Sequence, residues 1–541
     1  MKKFFVSVGV IALLASTIVF SSPKTRAATT IYVSPGSNIQ AAVTSAQDGD
    51  TIHFAAGVYD EANSIVPTKN NLTLEGSGAA TTTINTNNDV FYFDSAVQNL
   101  TIKGFTLTSI AGLTGVHCDR NGQGETATGT ISDNIITNNN QASNFLGIYL
   151  NGGCSFEIAN NTITQSTDFG ILIEEITATN NIRDNQITDN SVGIFLVAES
   201  ANSNNILIHN NTISGNSDGG IFALGSTASI YSNDIHGNTG GGLSGAVSVM
   251  QSTVQIYANK IYQNSAPYGG GISLLAPNEG SNVYNNYISQ NSATDGPGGG
   301  ILSVQNNTPI FNNTIVNNTA TVGGPGAGAT SIKTLNNKSG KDADSVQTAN
   351  ATIEKINDEL KSLSDQIHTD VGEHVGGGVY FASMGEFSPP FYNNIVWGNT
   401  DGVVYNGGAT PIITYNDMQD EPYVAPLNEE GLSVSGNIFT DPKLDGYVLR
   451  EDSPCVDTGT STGAPATDID GKSRPQRNGI DIGAYELSAV TPTETAAATS
   501  SSETLPETGA PANNQSLALV LMFILLSAPV LVIAKRHFTK R

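Results

Sequence analysis

An asparagine returns once per repeat through most of this chain, at positions 134, 161, 185, 211, 233, 259, 286, 313 and 394. Each has an apolar residue three positions before it and another two positions after it, as in Ile131 and Ile136 around Asn134 or Ile256 and Ile261 around Asn259. Successive asparagines are 22 to 27 residues apart, until one gap of 81. A period of this length, held so often, is the mark of a solenoid. Alternation of inward and outward side chains makes the elements short strands, so the fold class is all-β, a parallel β-helix. Equivalent positions then stack about 4.8 Å apart, Ile upon Ile. The asparagine is expected in the bend between two strands. There it tolerates left-handed backbone and can hydrogen-bond up and down its column. A second asparagine follows at 139, 190, 216, 238, 264, 291, 318 and 399, with Ser166 as the departure. A Gly-apolar pair opens a further strand in each coil, as at Gly147-Ile148, Gly193-Ile194, Gly242-Leu243 and Gly378-Val379. Three strands and three bends per coil are the expectation.

The two ends of the chain say where it goes. Residues 1–27 carry Lys2 and Lys3, an apolar run Phe4–Phe20 and small residues up to Ala27, the pattern of a secretory signal peptide. At the other end Leu505, Pro506, Glu507, Thr508 and Gly509 precede an apolar run, 517–534, and a basic tail. That run is long enough to span a bilayer, and the basic tail would stay in the cytoplasm. The three-part ending 505–541 resembles the sorting signal read by sortases. The resemblance implies cleavage between Thr508 and Gly509 and an amide link from Thr508 to peptidoglycan. Sortase and the wall are then the expected partners, and the outer surface of a Gram-positive-type bacterium the expected location. Residues 488–504, rich in Thr, Ser, Ala and Pro, read as a spacer across the wall.

Between these ends, 28–98 holds an entry cap and the first coils, 99–436 the repeats, and 437–487 a C-terminal cap region. Ile39, Ala42, Val43 and Ala46 fall at helical spacing, which predicts a short helix on the first coil. The stretch Ile31–Glu61 resembles the entry cap of pectin-lyase-like proteins. Val456-Asp457-Thr458-Gly459, Asp468-Ile469-Asp470-Gly471 and Asp481-Ile482-Gly483-Ala484-Tyr485-Glu486 resemble the end region of secreted bacterial β-helix proteins. This resemblance, over 28–487, implies a right-handed parallel β-helix. It leaves activity open, because that fold hosts lyases, hydrolases, epimerases and adhesins. The 81-residue gap leaves an insertion, 324–375. In it Val346, Ala349, Ile353, Ile356, Leu360, Leu363 and Ile367 form a two-position heptad stripe. A helix there would pack on the flank of the rod or pair with a second copy, so self-association is one expectation.

The chain carries 23 Lys and Arg against 48 Asp and Glu, a net charge of −25. That excludes a nucleic-acid partner, which needs a basic stripe, and leaves few partners for anionic polymers. Cys118 and Cys154 fall at different places in their coils and are expected as buried free thiols. No metal site is expected: Asp468 and Asp470 lack the rest of a calcium loop, and the motif reads better as a turn. No cofactor is expected either, with calcium admitted only if the protein is a lyase.

In the pectin-lyase-like family, substrates lie on the outer face of one strand stack, and the Gly-apolar strands look like that stack. Its outward columns are expected to run His117, Tyr149, Leu172, Phe195, Phe222, Ser244, Ser273, Leu302, Tyr380 and Asp119, Asn151, Glu174, Val197, Leu224, Ala246, Leu275, Val304, Ala382. Asp119, Arg120 and Glu174 are the catalytic candidates. Asp119 and Glu174 should sit two coils apart, about 9.6 Å, near the carboxylate spacing of inverting glycosidases. An arginine beside carboxylates would alternatively suit a calcium-assisted lyase taking the C5 proton. His117, Tyr149 and Asn151 are binding candidates in the same place. A second outward column, from His209 through Tyr231, Tyr257, Tyr284 and Phe311 to Tyr392, forms an aromatic ladder. It either stiffens the rod or docks sugar faces. Two functions stay open: a wall-anchored protein that binds polysaccharide or a cell surface, and a surface polysaccharide lyase or glycoside hydrolase.

Overall fold

The computed structural model describes residues 26–109, 114–120, 125–138, 145–174, 178–198, 206–242, 244–277, 279–321, 374–424 and 433–489, with the single residues 351 and 354. Residues up to 489 form one unit and 490–541 another. Residues 1–25 of the expected signal peptide, residues 490–504 of the expected spacer, the sorting signal with its apolar run 517–534, and nearly all of the insertion fall outside the described residues. Among those described, no helix is long and apolar enough to cross a membrane.

Three parallel sheets of 15, 13 and 12 strands run the length of the rod, each strand paired with its equivalents one coil before and after. Alternation explains the register. Ile131, Ile158, Ile182, Ile208, Ile230 and Ile256 follow one another down the 15-strand sheet. All are fully buried. The 13-strand sheet supplies a second inward column, with Ile213, Ile235 and Ile261 in register. An Ile235→Asp substitution puts an unpaired charge in that column, where it has neither water nor a cation. The expected result is loss of the cooperative melt over the neighbouring coils, read by circular dichroism. An unchanged melting temperature would show that the inward register is wrong.

The recurring asparagines form two ladders, buried except at Asn399, which is partly buried. Asn211 Nδ2 donates to Asn233 Oδ1 (3.0 Å) and to the carbonyl of Ile182 (2.8 Å), and Asn211 N–H donates to the same Asn233 Oδ1 (3.0 Å). The second ladder repeats this pattern from Asn190 through Asn216, Asn238, Asn264, Asn291 and Asn318 to Asn399. In the first of these coils it is Asn138 that is buried, and position 139 lies outside the described residues. The left-handed conformation is not on the ladder asparagine. It falls on the residue before, as at Asp133, Asn160, Asp184, Asn210, Ser232 and Ala258, each with φ between 53 and 57°. That residue makes the turn and so frees the asparagine to point inward.

Two further expectations are corrected. Cys118 and Cys154 are not free thiols but a disulfide, with Cα atoms 6.3 Å apart. Cys118 points inward from the 12-strand sheet, and Cys154 opens a strand of the 15-strand sheet one coil further on, beside Ala127, which opens the strand that follows Cys118. The two inward positions therefore face each other across one interior corner. In the coil after Phe222, Ser248 and Met250 hold the outward positions, in place of Ser244 and Ala246. The Gly242-Leu243 pair imitates a strand opening, but the strand of this coil begins at Val247. Ser244 Oγ there accepts the N–H groups of Ala246 and Val247.

At the entry end a short helix, Ile39–Ser45, is capped by Asn38 and sinks Ile39 and Val43 into the core. At the far end the chain turns back along the rod. Leu449, Cys455, Ile482 and Tyr485 pack on the outward residues Val316, Ile395 and Trp397 of the 13-strand sheet. Tyr447 and Lys260 meet ring to ammonium at 4.7 Å. Arg474 and Glu486 form a fully buried ion pair at 2.6 Å. The ends of the insertion meet in one bend, where Ala320 and Val375 share a small cluster with Ala293. Strand register resumes across it, Ile301 pairing with Val379.

Under this C-terminal segment Cys455 Sγ donates to Asp417 Oδ2 (3.0 Å), and Thr440 N–H to Oδ1 (3.2 Å). Burial pushes the Asp417 carboxyl up to about 6 despite those bonds. A group whose folded value lies above its unfolded one stabilises the fold while protonated. That contribution is whole below about pH 4 and is lost as pH rises through about 6. Asp417→Asn is therefore expected to flatten the stability profile across this window and to raise stability at neutral pH by about 1–3 kcal/mol. Denaturant melts of both proteins at several pH values check it. Asp481 and Glu486, also raised by burial, contribute equally to both profiles and cancel in the difference.

Candidate functional site

The ionisable residues of the early coils come together on the outer side of the 12-strand sheet. Strands Thr114–Arg120, Leu146–Gly152 and Phe169–Glu174 lie side by side there. Tyr149 pairs with His117 and Leu172, and Asn151 with Asp119 and Glu174. Asp119 and Glu174 are thus two coils apart, with Asn151 between them. The His117 and Tyr149 rings stack at 4.7 Å, and Tyr92 meets His117 edge-on at 5.1 Å. Tyr149 Oη donates to Glu174 Oε2 (2.5 Å), and Asn151 Nδ2 to Asp119 Oδ1 (3.4 Å).

Asp89 is a member the sequence analysis missed. Its Oδ2 lies 2.8 Å from His117 Nδ1, and its Oδ1 accepts the N–H of Thr114. A proton on Nδ1, held by Asp89, leaves Nε2 as the basic nitrogen. Asp89 lies in the bend before the strand Phe91–Phe93, one coil upstream of the first recognisable repeat. The only signal was an Asp placed like Asp168 and Asp218, just before a strand of this sheet. Arg120 does not join the carboxylates. Its guanidinium is spent on the carbonyls of Glu125 and Asp94.

Such a set holds the parts for moving a proton: an imidazole oriented by a carboxylate, beside a phenol hydrogen-bonded to a carboxylate. It is closed to solvent. His117 has no exposed surface, and Tyr149 and Glu174 have 2% and 3%. The rest of the outward face follows suit. Leu172, Phe195, Phe222, Leu224, Met250, Leu275, Leu302, Val304 and Tyr380 make a second buried apolar cluster outside the core. At Gly269, Gly298 and Gly376 the bends leading into the strands lie close over it. A Cβ on Gly376, where φ is +57°, would come within 3.0 Å of Tyr380 Cβ. Among the described residues no three His, Cys, Asp or Glu side chains converge on one point. Asp468 Oδ1 accepts the N–H groups of Asp470 and Lys472, and its Oδ2 accepts that of Glu486.

The aromatic column stands on the outer face of the 15-strand sheet. His209, Tyr231, Tyr257, Tyr284, Phe311 and Tyr392 stack face to face, with centroids 4.7 to 5.1 Å apart and planes within 11°. Each ring covers the face of the next, so the tyrosines offer edges and hydroxyls to solvent. Desolvation pushes the Tyr284 phenol up to about 12. Tyr392 Oη donates to the Gly463 carbonyl (3.1 Å).

Comparison with known proteins fits this geometry. The family model described as right-handed beta helix region matches residues 56–228 and 199–341. The LPXTG cell wall anchor motif matches 497–537. No curated protein matches the chain. Among solved structures, the A-module of the Azotobacter vinelandii mannuronan C-5 epimerase AlgE4 is 14% identical. It covers 74% of this chain and 95% of its own at a TM-score of 0.42. A mannuronic acid-specific family 6 polysaccharide lyase from human gut microbiota is 10% identical (78% and 89% covered, TM-score 0.40). The family 6 polysaccharide lyase Pedsa3628 of Pseudopedobacter saltans is 12% identical (84% and 100%, TM-score 0.39). Likeness at this level is one of fold.

Proposed function

We propose that this chain, which belongs to the right-handed β-helix family and carries the wall anchor motif of Gram-positive-type surface proteins, is a wall-tethered rod that binds polysaccharide. One contrast supports this over catalysis. The cluster equipped for proton transfer is shut from solvent at His117, Tyr149 and Glu174. The outer face of the 15-strand sheet, in contrast, keeps partly exposed polar and aromatic side chains coil after coil, among them Thr101, Thr130, Asn181, Ser229, Gln255 and Asn282. Repeated hydrogen-bonding groups at strand spacing suit a polymer, because each coil adds a weak contact and the sum gives affinity. The test is a glycan array probed with protein released from walls by murein hydrolase, with and without calcium. Retention on at least one polysaccharide, independent of calcium, is expected; no retention on any would overturn the reading.

A second reading, a lyase or related enzyme acting on uronates, rests on the His117–Asp89 and Tyr149–Glu174 pairs. It requires that a substrate reach them. A His117→Ala protein that retains glycans as the parent does would count for binding. Loss of a product-forming activity in that variant would count for the enzyme.

A further inference from the structure

The outer face of the 15-strand sheet holds a groove of about 420 Å³, on a different sheet from the closed cluster. It crosses four successive strands, Leu100–Lys103, Ala127–Ser132, Cys154–Ala159 and Asn181–Arg183. Thr101, Thr130, Glu157 and Asn181 stand in register along it, with Ser155 and Thr179 beside them. At Gly129, an inward position without a side chain, the Phe156 ring lines the groove. A Cβ there would lie 2.8 Å from Phe156 Cε1 and 2.1 Å from the Leu100 carbonyl oxygen, so only glycine fits. Asn181 Oδ1 lies 3.0 Å from His209 Nε2 and so joins the groove to the end of the aromatic column.

The charge around this groove selects its ligand. Among the described residues, Glu157 is the one ionisable residue lining it. The Arg183 guanidinium bonds Glu157 and also Asp184 (2.6 Å). Lys103, on the neighbouring column, is paired with Glu75 at 3.0 Å. A uronate would bring its carboxylate beside Glu157, in a protein of net charge −25, with Arg183 and Lys103 already engaged. Burying a carboxylate without a cation is costly. A neutral sugar brings hydroxyls that both donate and accept, and Thr, Ser, Asn and Glu side chains match them in both roles. The volume lies in the ~300–1,000 Å³ range of small-ligand sites, enough for a short stretch of polymer.

We propose that this groove is a docking subsite for a neutral polysaccharide. The proposal rests on the polysaccharide-binding reading above and adds a place and a charge class to it. The experiment is calorimetric titration of the wall-released protein with neutral hexasaccharides of glucose, xylose and mannose, and with hexagalacturonate. Parent, Thr130→Trp and Thr101→Trp proteins are compared. Both threonines point outward and are half-buried, so an indole there fills the groove without entering the core. Two variants on neighbouring strands guard against one failing to fold, and circular dichroism melts check each. The expected result is binding of at least one neutral hexasaccharide and none of hexagalacturonate, with affinity at least about tenfold weaker in the variants. Hexagalacturonate bound more tightly than every neutral sugar overturns the charge class and leaves polysaccharide binding standing. Neutral binding equal in parent and both variants overturns the place. No binding of any probe overturns this proposal and the reading beneath it together.

Discussion

Replacing Asn259 with Ala is expected to lower the unfolding free energy by at least about 3 kcal/mol. The side chain occupies the middle of a ladder. Its Oδ1 accepts both the N–H and the Nδ2–H of Asn233, at 3.0 Å each. Its own Nδ2 donates to the Ile230 carbonyl (2.8 Å) and to Asn286 Oδ1 (3.0 Å). Truncation removes the acceptor of the Asn233 N–H and Nδ2–H and one donor to the Ile230 carbonyl in a buried column, while Asn286 Oδ1 keeps the backbone N–H of residue 259, and each group left unsatisfied costs about 1–3 kcal/mol. The strong neighbour coupling of a solenoid should carry the loss into the adjoining coils. Hydrogen exchange is expected to speed up most around Asn233 and Asn286. Tyr257→Phe, two residues away on the outside, keeps the ring stack and should shift stability by less than about 0.5 kcal/mol. Equal effects from the two substitutions would mean that the ladder does not hold the coils.

Thr508→Ala is expected to abolish covalent attachment to the wall. The anchor motif matched over 497–537 contains Leu505-Pro506-Glu507-Thr508-Gly509, in which Thr508-Gly509 would be the scissile bond. The apolar run and basic tail would hold the precursor at the membrane while that bond is cut. Without Thr508 the acyl group that joins the cross-bridge cannot form, so the protein should stay with the membrane fraction or be shed. Murein hydrolase digestion followed by mass analysis gives a plain readout. Wall fragments attached to the variant would contradict the anchoring account.

The rod was legible in the sequence because its constraints repeat. The inward Ile columns and the Asn ladders recur at a nearly fixed period, and each coil confirms the last. The aromatic column was legible for the same reason, but its consequence was not. Only the geometry shows that the rings cover one another and leave edges. Bends were the weak point. Their lengths vary between coils, so inward positions at corners cannot be aligned by counting. That hid the Cys118–Cys154 bridge and moved the strand after Phe222 from Ser244 to Ser248. Asp89 escaped because it lies before the first regular repeat. The closed outer face of the 12-strand sheet had a signal that went unread. A column running Leu172, Phe195, Phe222 is too apolar to be left in water, and assigning it as a substrate face overlooked that. The C-terminal segment is the counterpart. Tyr287, Val316, Ile395 and Trp397 are outward and apolar because residues 444–487 lie on them.

The rod is proposed to hold polysaccharide without cutting it. The most direct measurement incubates the wall-released protein with the polymer it retains, with calcium present, and follows polymer length by size-exclusion chromatography alongside the ultraviolet absorbance of unsaturated uronate ends. Saturable retention with an unchanged length distribution and flat absorbance is the predicted result. Progressive shortening of the polymer, or rising absorbance, would contradict it and place the chemistry at His117 and Tyr149.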